Sequence, residues 1–325
     1  MFFGLRFDFR NPDLGGVSTA DRYAAALEMV EWADRLGGMT VAVSEHHGSD
    51  DGYLPSPLVM LSAMAARTTN VRFMVAALIT SFYDPLRLAE DLVVLDNISR
   101  GRVDLVLGSG YVPSEFDMYG VPSSERAARL QETLQTLQAA FTGEPFEYRG
   151  RTVRVTPAPD RAGGPGLMLG GSSEVAARRA ARLGVGFIPV SAEVWEFYRD
   201  EVQQRGGADP GESIVGENYT LALFDDVERG WEQLGPYFLH ETNAYGAWQQ
   251  ESNAHAPFHV AADVDELRAR GTHRIVTPDE FIVEMKAAPF PFQIFHPMCG
   301  GIPPELAWQS LKLYEHEVLP AFAAE

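Results

Sequence analysis

Short segments with the composition of β-strands alternate with longer segments of helical period along most of this sequence. Phe2 to Phe9 is rich in aromatic residues, and a Ser18/Thr19 cap then opens a helix. Thr40 to Ser44 is the next strand, and Pro85 later starts a helix at the first position, where proline is tolerated. Such alternation is typical of parallel sheets, because the crossover between parallel strands needs about a dozen residues or more. The pattern therefore predicts an α/β fold.

Eight such strand and helix units can be traced through the 325 residues. The predicted strands are Phe2 to Phe9, Thr40 to Ser44, Val71 to Leu78, Val103 to Leu107, Leu167 to Leu169, Gly186 to Val190, Tyr219 to Phe224 and Pro289 to His296. Eight consecutive units fit a (β/α)8 TIM barrel, a fold of about 250 residues or more. No linker marks a domain boundary, so residues 1–325 are predicted to form one TIM-barrel domain.

Two segments depart from the regular repeat. Pro145 to Pro159 alternates like a two-stranded hairpin inserted after the fourth helix, whose apolar stripe follows a Ser123/Ser124 cap. Residues 225 to 285 mix aromatic, acidic, histidine and glycine residues without one clean period. A connection of this length is long for a compact domain, and we expect an elongated, lid-like loop near the seventh unit.

Composition limits the partners and the compartment. The chain has 45 acidic and 26 basic residues, and its formal net charge of -19 repels nucleic acid and anionic membrane surfaces at long range. Cys299 is the single cysteine and can form no intrachain disulfide, which fits a reducing interior. Neither a signal peptide nor a transmembrane segment is apparent. We therefore expect a cytoplasmic protein that binds neither nucleic acid nor membrane.

The strongest candidate for acid–base chemistry directly follows the second predicted strand, where the sequence reads Ser44-Glu45-His46-His47. In a parallel barrel, the active site lies at the carboxyl ends of the strands. An imidazole can transfer a proton near neutral pH, and a neighbouring carboxylate can orient it. Glu45 and His46 are therefore candidate catalytic residues. The spacing is equally compatible with side chains that only hydrogen-bond a loop.

Three further strand ends carry small residues. They are Ala76 and Ala77 after the third strand, Ser109 and Gly110 after the fourth, and Gly171, Ser172 and Ser173 after the fifth. The alanine pair would let a flat ring approach the backbone, although small residues packed in a barrel core give the same pattern. The two glycine-rich turns offer free amides and hydroxyls to an anion. Glycine is also common in tight turns without any ligand.

A metal site is not predicted. His255 and His259 have the spacing of a helical zinc pair, but Pro257 lies between them and no third ligand is obvious. His296 ends the eighth predicted strand and should point to the same rim as His46. The motifs of α/β-hydrolases, P-loop NTPases and Rossmann dehydrogenases are missing from the sequence.

Several of these segments resemble one known family in both sequence and order. They are Val43 to His47 (VSEHH), Val75 to Thr80 (VAALIT), Pro85 to Arg102 (PLRLAEDLVVLDNISRGR), Leu105 to Gly120 (LVLGSGYVPSEFDMYG) and Pro297 to Pro320, which ends in EVLP. Together they are similar to the bacterial luciferase-like flavin-dependent monooxygenases. The resemblance is dense over about the first 190 residues. It specifies the superfamily and leaves the substrate open.

The resemblance implies a (β/α)8 barrel, usually a homodimer, that binds reduced FMN delivered by a separate flavin reductase. In that family O2 adds to the flavin, and the resulting hydroperoxide oxygenates an organic substrate. His46 matches the first histidine of the family's Glu-His-His and would act as an acid, a base and a stabiliser of the hydroperoxide. Ala76 and Ala77 match the small pair under the isoalloxazine ring, which is often joined by a cis peptide bond.

The phosphate site implied by the resemblance shows one departure. Ser172 and Ser173, with Gly171, match the turn that receives the flavin phosphate. Where luciferase has a Cys-Arg pair after the fourth strand, this chain has Gly108-Ser109, so that arginine is missing. We therefore do not expect light emission.

The leading hypothesis is an FMN-dependent two-component monooxygenase that acts on a small to medium organic substrate. Other branches of the superfamily use a deazaflavin for hydride transfer, and a glycine-rich turn after the fourth strand is common among them. A deazaflavin-dependent dehydrogenase or reductase is therefore the first alternative. A catalytically silent flavin-binding subunit is the second, and the presence of His46 argues against it.

Overall fold

Parallel β-strands form the centre of the fold. The structure is a computed structural model that describes residues 1–213, 220–252 and 259–322. Its strands, in chain order, are β1 (Phe2–Phe7), β2 (Thr40–Val43), β3 (Arg72–Ile79), β4 (Val103–Gly108), β5 (Phe146–Tyr148), β6 (Arg151–Val153), β7 (Gly166–Gly171), β8 (Gly186–Pro189), β9 (Thr220–Leu223), β10 (His273–Val276) and β11 (Phe292–Phe295). Tyr219, the first residue of the predicted seventh strand, lies outside the described residues.

Seven strands form one curled sheet in the order β11-β1-β2-β3-β4-β7-β8, and all neighbouring pairs in it are parallel. The first strand therefore pairs with the last, as in a barrel. β9 and β10 form a separate two-stranded parallel sheet, and β9 packs beside β11. The predicted α/β fold of TIM-barrel type is thus confirmed, with its strands divided between a large sheet and a small one.

Helices connect the strands and bury their apolar faces against the sheets in a shared hydrophobic core. They are α1 (Thr19–Arg35), α2 (Pro57–Ala66), α3 (Pro85–Ser99), α4 (Pro113–Tyr119), α5 (Arg126–Ala140), α6 (Glu174–Arg182), α7 (Ala192–Gln204), α8 (Val227–Ser252), α9 (Val264–Arg270), α10 (Pro278–Ala287) and α11 (Pro304–Leu313).

Most helix starts follow from the local sequence. The Ser18 and Ser173 hydroxyls each accept a hydrogen bond from the backbone N–H three residues later, at 3.1 and 3.3 Å. Each bond satisfies one of the N–H groups that a helix leaves unpaired at its start. The predicted cap at Ser123 and Ser124 is wrong. Those residues lie in a short 3-10 turn, and α5 begins at Arg126 without a side-chain cap.

The hairpin predicted between Pro145 and Pro159 is present after α5. β5 and β6 pair antiparallel in it. Arg149 lies in the turn of the hairpin and forms ion pairs with Glu132 of α5 and Asp84 before α3, at 2.7 and 3.1 Å. The insertion therefore lies against the outer helices.

Residues 225 to 285 do not form the irregular, lid-like loop that the sequence predicted. Apart from residues 253–258, which lie outside the described part, they hold α8, α9, β10 and most of α10. No clean period was visible because the buried face of α8 carries glycine, tyrosine, glutamate and threonine beside its few aliphatic residues. Gly246 is an example of a buried position that cannot be aliphatic, because a Cβ there would lie only 2.9 Å from the backbone nitrogen of Val260.

A buried arginine holds the opposite end of the sheet together. The Arg102 guanidinium, just before β4, donates five hydrogen bonds of 2.6 to 3.0 Å. The acceptors are the carbonyl oxygens of Ser99, Val71, Ala65 and Thr68 and the Thr68 hydroxyl. These acceptors lie at the end of α2, at the end of α3 and directly before β3. The Arg102 side chain therefore holds these three segments together.

Candidate active site

The residues that follow β2 and β4 bring a histidine and a carboxylate together. His46 lies after β2, and Glu115 lies in the first turn of α4. His46 Nδ1 is 2.8 Å from Glu115 Oε1, and the same oxygen accepts a 2.8 Å hydrogen bond from the backbone N–H of His47. Both side chains are buried. The carboxylate favours the tautomer with a proton on Nδ1, so Nε2 of His46 is the nitrogen that can exchange a proton with a ligand.

Glu45 has a different set of partners. Its Oε1 accepts a 2.7 Å hydrogen bond from the Tyr83 hydroxyl and lies 3.0 Å from His47 Nε2. Its Oε2 accepts a 2.7 Å hydrogen bond from the backbone N–H of Ile79. The side chain is buried, with both oxygens bonded. The carboxylate thus joins the end of β2 to the end of β3 and positions His47 rather than His46.

Aromatic rings enclose the imidazole of His46. Trp248 of α8 stacks on it, with ring centroids 4.1 Å apart and an interplanar angle of 27°. Tyr53, Tyr111 and Tyr245 meet it edge-on at 4.9, 5.7 and 5.9 Å. Burial raises the pKa of both Tyr53 and Tyr111, so these hydroxyls stay neutral near pH 7. The segment that the sequence assigned to a loop therefore covers the strand ends as a helix.

A buried arginine lies against the same rings. The Arg10 guanidinium carbon is 4.7 Å from the ring centroid of Tyr53 and 4.6 Å from that of Trp248, a favourable cation–π arrangement. Its Nη1 donates a hydrogen bond to Asp51, whose Oδ2 is also 2.7 Å from His240 Nε2. Burial alone would raise the pKa of Asp51. The hydrogen bond with His240 and the charge of Arg10 outweigh burial and hold this pKa well below its usual range.

The ends of β3, β4 and β7 carry small residues on neighbouring positions. The peptide bond between Ala76 and Ala77 is cis. A Cβ at Gly108 would lie 3.0 Å from the Cβ of Ala77, and a Cβ at Gly170 would lie 2.9 Å from Val106 Cγ1. Ala76, Ala77, Gly108 and Gly170 are all partly exposed. Gly108 and Gly170 have to be small because a Cβ at either position would crowd the neighbouring strand.

The turn between β7 and α6 presents hydroxyl groups at a helix start. Gly171 has to be small, because a Cβ there would collide with the Cβ of Ala176. Ser173 caps α6 and is exposed, and Ser172 is partly exposed beside it. The positive end of the α6 dipole points into this turn. Binding of an anion by this turn stays a prediction.

Ser109 and Gly110 have structural roles in the turn after β4. The Ser81 hydroxyl donates a 2.7 Å hydrogen bond to the Ser109 carbonyl. Gly110 adopts a φ of 77°, and a Cβ there would lie 2.9 Å from Ile79 Cγ2. These contacts explain why a glycine is needed at this position. Contact of either residue with a cofactor stays a prediction.

The structure thus brings some predicted site residues together and separates others. His46 and the small pair of β3 lie at neighbouring strand ends, whereas Glu45 is turned to His47. Sequence reasoning missed Glu115 and Trp248. Glu115 lies within the segment Leu105 to Gly120 that carries the family resemblance, two residues after the proline that starts α4, and this position was the available signal.

The sequence predicts neither a zinc site nor a membrane-spanning segment. His255 lies outside the described residues and His259 is exposed, so the structure does not test the zinc pair. Within residues 1–213, 220–252 and 259–322, no helix combines the length and the apolar character that a membrane crossing requires.

Comparisons with known proteins agree with this fold. A 4-hydroxyprotoasukamycin monooxygenase from Streptomyces nodosus subsp. asukaensis is 25% identical over 279 residues, which cover 79% of this chain and 74% of that protein. An F420-dependent glucose-6-phosphate dehydrogenase from Amycolatopsis mediterranei (strain U-32) is 30% identical over 222 residues, covering 63% and 67%. The oxygenating constituent of 3,6-diketocamphane monooxygenase from Pseudomonas putida, solved in complex with FMN, shares the fold with a TM-score of 0.73 over 98% of both chains, at 18% identity.

The family itself is identified from the sequence. Residues 1–285 match the family described as luciferase-like monooxygenase. This range spans most of the chain and contains His46, Glu115 and the cis peptide bond between Ala76 and Ala77. The chain belongs to the luciferase-like monooxygenase family.

Proposed function

We propose that this chain is a flavin-dependent monooxygenase that binds reduced FMN and uses O2 to oxygenate a small to medium organic substrate. The observation that carries the proposal is the buried His46–Glu115 pair, in which His46 follows β2, the neighbour of the strand β3 that contains Ala76 and Ala77. Such a pair can deliver or accept a proton near neutral pH in a site from which water is largely excluded. The family relationship supports the same chemistry.

The residues present fit a flavin. Ala76, Ala77 and Gly108 are small and partly exposed, so no long side chain at these positions would block a planar ring. The turn Gly171 to Ser173 offers hydroxyls and the start of α6 to a phosphate. A flavin bound there supplies the electron transfer to O2 that no side chain in this site can perform.

The chain's own residues handle protons and exclude water. Glu115 fixes the ring of His46, so Nε2 is the atom that exchanges a proton with a bound ligand. Glu45 keeps His47 and the end of β3 in place. Trp248 covers one face of the His46 imidazole, so a ligand that approaches this face has to displace Trp248.

An F420-dependent dehydrogenase or reductase is the second candidate. The relative from Amycolatopsis mediterranei supports it, and so does the Gly108-Ser109 turn, which places no arginine beside a flavin phosphate. Anaerobic titration of the purified protein with reduced FMN and with F420 separates the two candidates. Tight binding of F420 without binding of reduced FMN would favour this second function.

The main experiment measures turnover with reduced FMN, O2 and a panel of organic substrates. We expect substrate oxygenation, and we expect His46→Ala to lose turnover while it retains flavin binding. His316→Ala, which changes an exposed histidine, is the matched control. Unchanged turnover in His46→Ala would overturn the role of His46. Flavin binding without turnover on any substrate would favour a catalytically silent subunit.

The proposal includes two partners. A separate flavin reductase would deliver reduced FMN, and a second copy of the chain would complete a homodimer, as the family resemblance implies. Reductase dependence is measured by replacing chemically reduced FMN with FMN, NADH and a reductase. Light scattering of the purified protein measures the mass, and a monomeric mass at micromolar concentration would exclude the homodimer.

A further inference from the structure

A second cluster of reactive side chains lies at the junction of β1, α8 and β11. Glu241 comes from α8, His296 directly follows β11, and Cys299 lies in the short turn after it. One metal-binding atom from each residue lies within 4.8 Å of the other two. All three side chains are buried. The proposed proton transfer by His46 does not use any of them.

The two carboxylate oxygens of Glu241 each lie at about the distance between neighbouring zinc ligands, one from Cys299 and the other from His296. Cys299 Sγ lies 3.0 Å from Glu241 Oε2, and His296 Nδ1 lies 3.5 Å from Glu241 Oε1. In a tetrahedral zinc site with ligand bonds of about 2.0 to 2.3 Å, neighbouring ligand atoms are roughly 3.4 Å apart. The three residues therefore need only small side-chain movements to share one ion.

His296 provides an independent observation. Neither of its ring nitrogens makes a hydrogen bond to any residue within the described ranges. The Oδ2 atom of Asp8 and the Oε1 atom of Glu241 approach these nitrogens to only 3.6 and 3.5 Å. A buried imidazole with two unsatisfied nitrogens is unfavourable. A cation at Nδ1 would satisfy the nitrogen that faces Glu241.

The surroundings resemble the outer shell of a metal site. Asp8 faces the other nitrogen of His296, as a carboxylate does behind a metal-bound histidine. Glu241 is held by Arg6 Nη2 and His273 Nε2, both at 3.0 Å.

We propose that Glu241, His296 and Cys299 bind one divalent transition-metal ion, of which Zn²⁺ fits the ligands best. A thiolate and an imidazole select zinc over magnesium or calcium, which prefer oxygen ligands. The ion joins α8 to the turn after β11, so its role is structural. Sequence reasoning predicted no metal because the ligands come from two distant segments and do not form a local motif. The inference does not depend on flavin binding.

The test uses the full-length protein, stripped with chelator and titrated with Co²⁺ as a spectroscopic substitute for Zn²⁺. We expect about one equivalent to bind, with intense visible bands of a tetrahedral site and a near-ultraviolet band from the cysteine thiolate. Zn²⁺ should displace Co²⁺ and raise the melting temperature of the wild-type protein. Cys299→Ser should lose the thiolate band, and Glu241→Gln should weaken Co²⁺ binding at least tenfold.

His316→Asn is the matched control, because His316 is exposed and lies outside the cluster. This variant should leave the visible bands and the near-ultraviolet thiolate band unchanged. Folded wild-type protein that binds no Co²⁺, or that binds it without a thiolate band, would overturn the proposal. Since the wild-type titration decides this directly, misfolding of a variant leaves the test valid. Flavin binding is measured on the same samples, so failure of the metal site is distinguished from failure of the proposed activity.

Discussion

Trp248 lies face to face with His46, and their ring centroids are 4.1 Å apart. The two residues come from α8 and from the segment after β2, so their contact joins the two halves of the chain. Only 7% of His46 is exposed in this arrangement. The position of α8 therefore contributes to the accessibility of the candidate acid–base group, together with Tyr53 and Tyr111.

Trp248→Ala should expose His46. Removal of the indole uncovers one face of the imidazole, and we expect modification of His46 by diethyl pyrocarbonate to become several-fold faster. Peptide mass mapping measures the rate at this residue. Trp195→Ala is the control, because the Trp195 indole on α7 donates a hydrogen bond to the Gly211 carbonyl. An equal rate in wild type and Trp248→Ala would show that other groups shield His46.

Glu115→Gln should impair turnover more than binding. The amide keeps the shape of the side chain but removes the carboxylate that orients Nδ1 of His46, so we expect kcat to fall about 100-fold with little change in KM. Steady-state kinetics at several pH values measure both constants. Asp117→Asn, at an exposed position on the same helix, is the control. A wild-type kcat in Glu115→Gln would exclude the positioning role.

Gly108→Leu should prevent flavin binding. A leucine side chain at this position on β4 would point toward Ala77, because a Cβ at Gly108 would lie 3.0 Å from the Cβ of Ala77. We expect at least a tenfold weaker Kd for reduced FMN, measured anaerobically by fluorescence quenching. Val283→Leu, on the exposed face of α10, is the control and should bind FMN normally. Circular dichroism checks whether both variants fold. Normal binding by Gly108→Leu would place the flavin elsewhere.

Asp51→Asn should destabilise the protein at neutral pH, by about 3 kcal/mol, because Arg10 loses a buried partner. The charged and titratable groups that face Asp51 are Arg10 and His240, and its pKa is lowered in the fold. A lowered carboxyl pKa stabilises the fold above the unfolded value of about 4, and this contribution is lost as the pH falls through the folded value.

The stability difference between wild type and Asp51→Asn should therefore be largest near pH 7 and shrink below about pH 4. Chemical denaturation at a series of pH values measures it. Asp50→Asn changes the neighbouring residue and is the control. A difference that stays constant down to acidic pH would show that the charge of Asp51 does not stabilise the fold.

Arg102→Met should lower the free energy of unfolding by about 3 kcal/mol or more, because the carbonyl oxygens of Ala65, Thr68 and Val71 lose their buried donor. Urea denaturation followed by circular dichroism measures the change. Arg126→Met, at an exposed position, is the control and should differ from wild type by less than about 0.5 kcal/mol. A similarly small effect in Arg102→Met would mean that water replaces the guanidinium.

The sequence predicted the sheet well for a physical reason. A strand buried on both faces is a short apolar run, and Val103 to Leu107 shows this pattern clearly. The observed strand, Val103–Gly108, differs by one residue. The His46 position followed from the same reasoning, since strand ends in a parallel sheet lie at one edge.

The missed features depend on contacts between distant segments. Glu115 lies in a seven-residue helix, and its partner His46 is 69 positions away. Trp248 lies on a helix whose packed face uses Gly230, Gly235 and Gly246, where close approach replaces aliphatic bulk. No local pattern in the sequence marks either pairing. Tertiary packing decides both.

The pairing of β1 with β11 also determines when folding can finish. During synthesis the strand Phe2–Phe7 is made about 290 residues before its second neighbour, Phe292–Phe295. Until then one edge of an aromatic strand is unpaired and open to other chains. Recombinant yield of this protein should therefore depend strongly on chaperones and on the rate of translation.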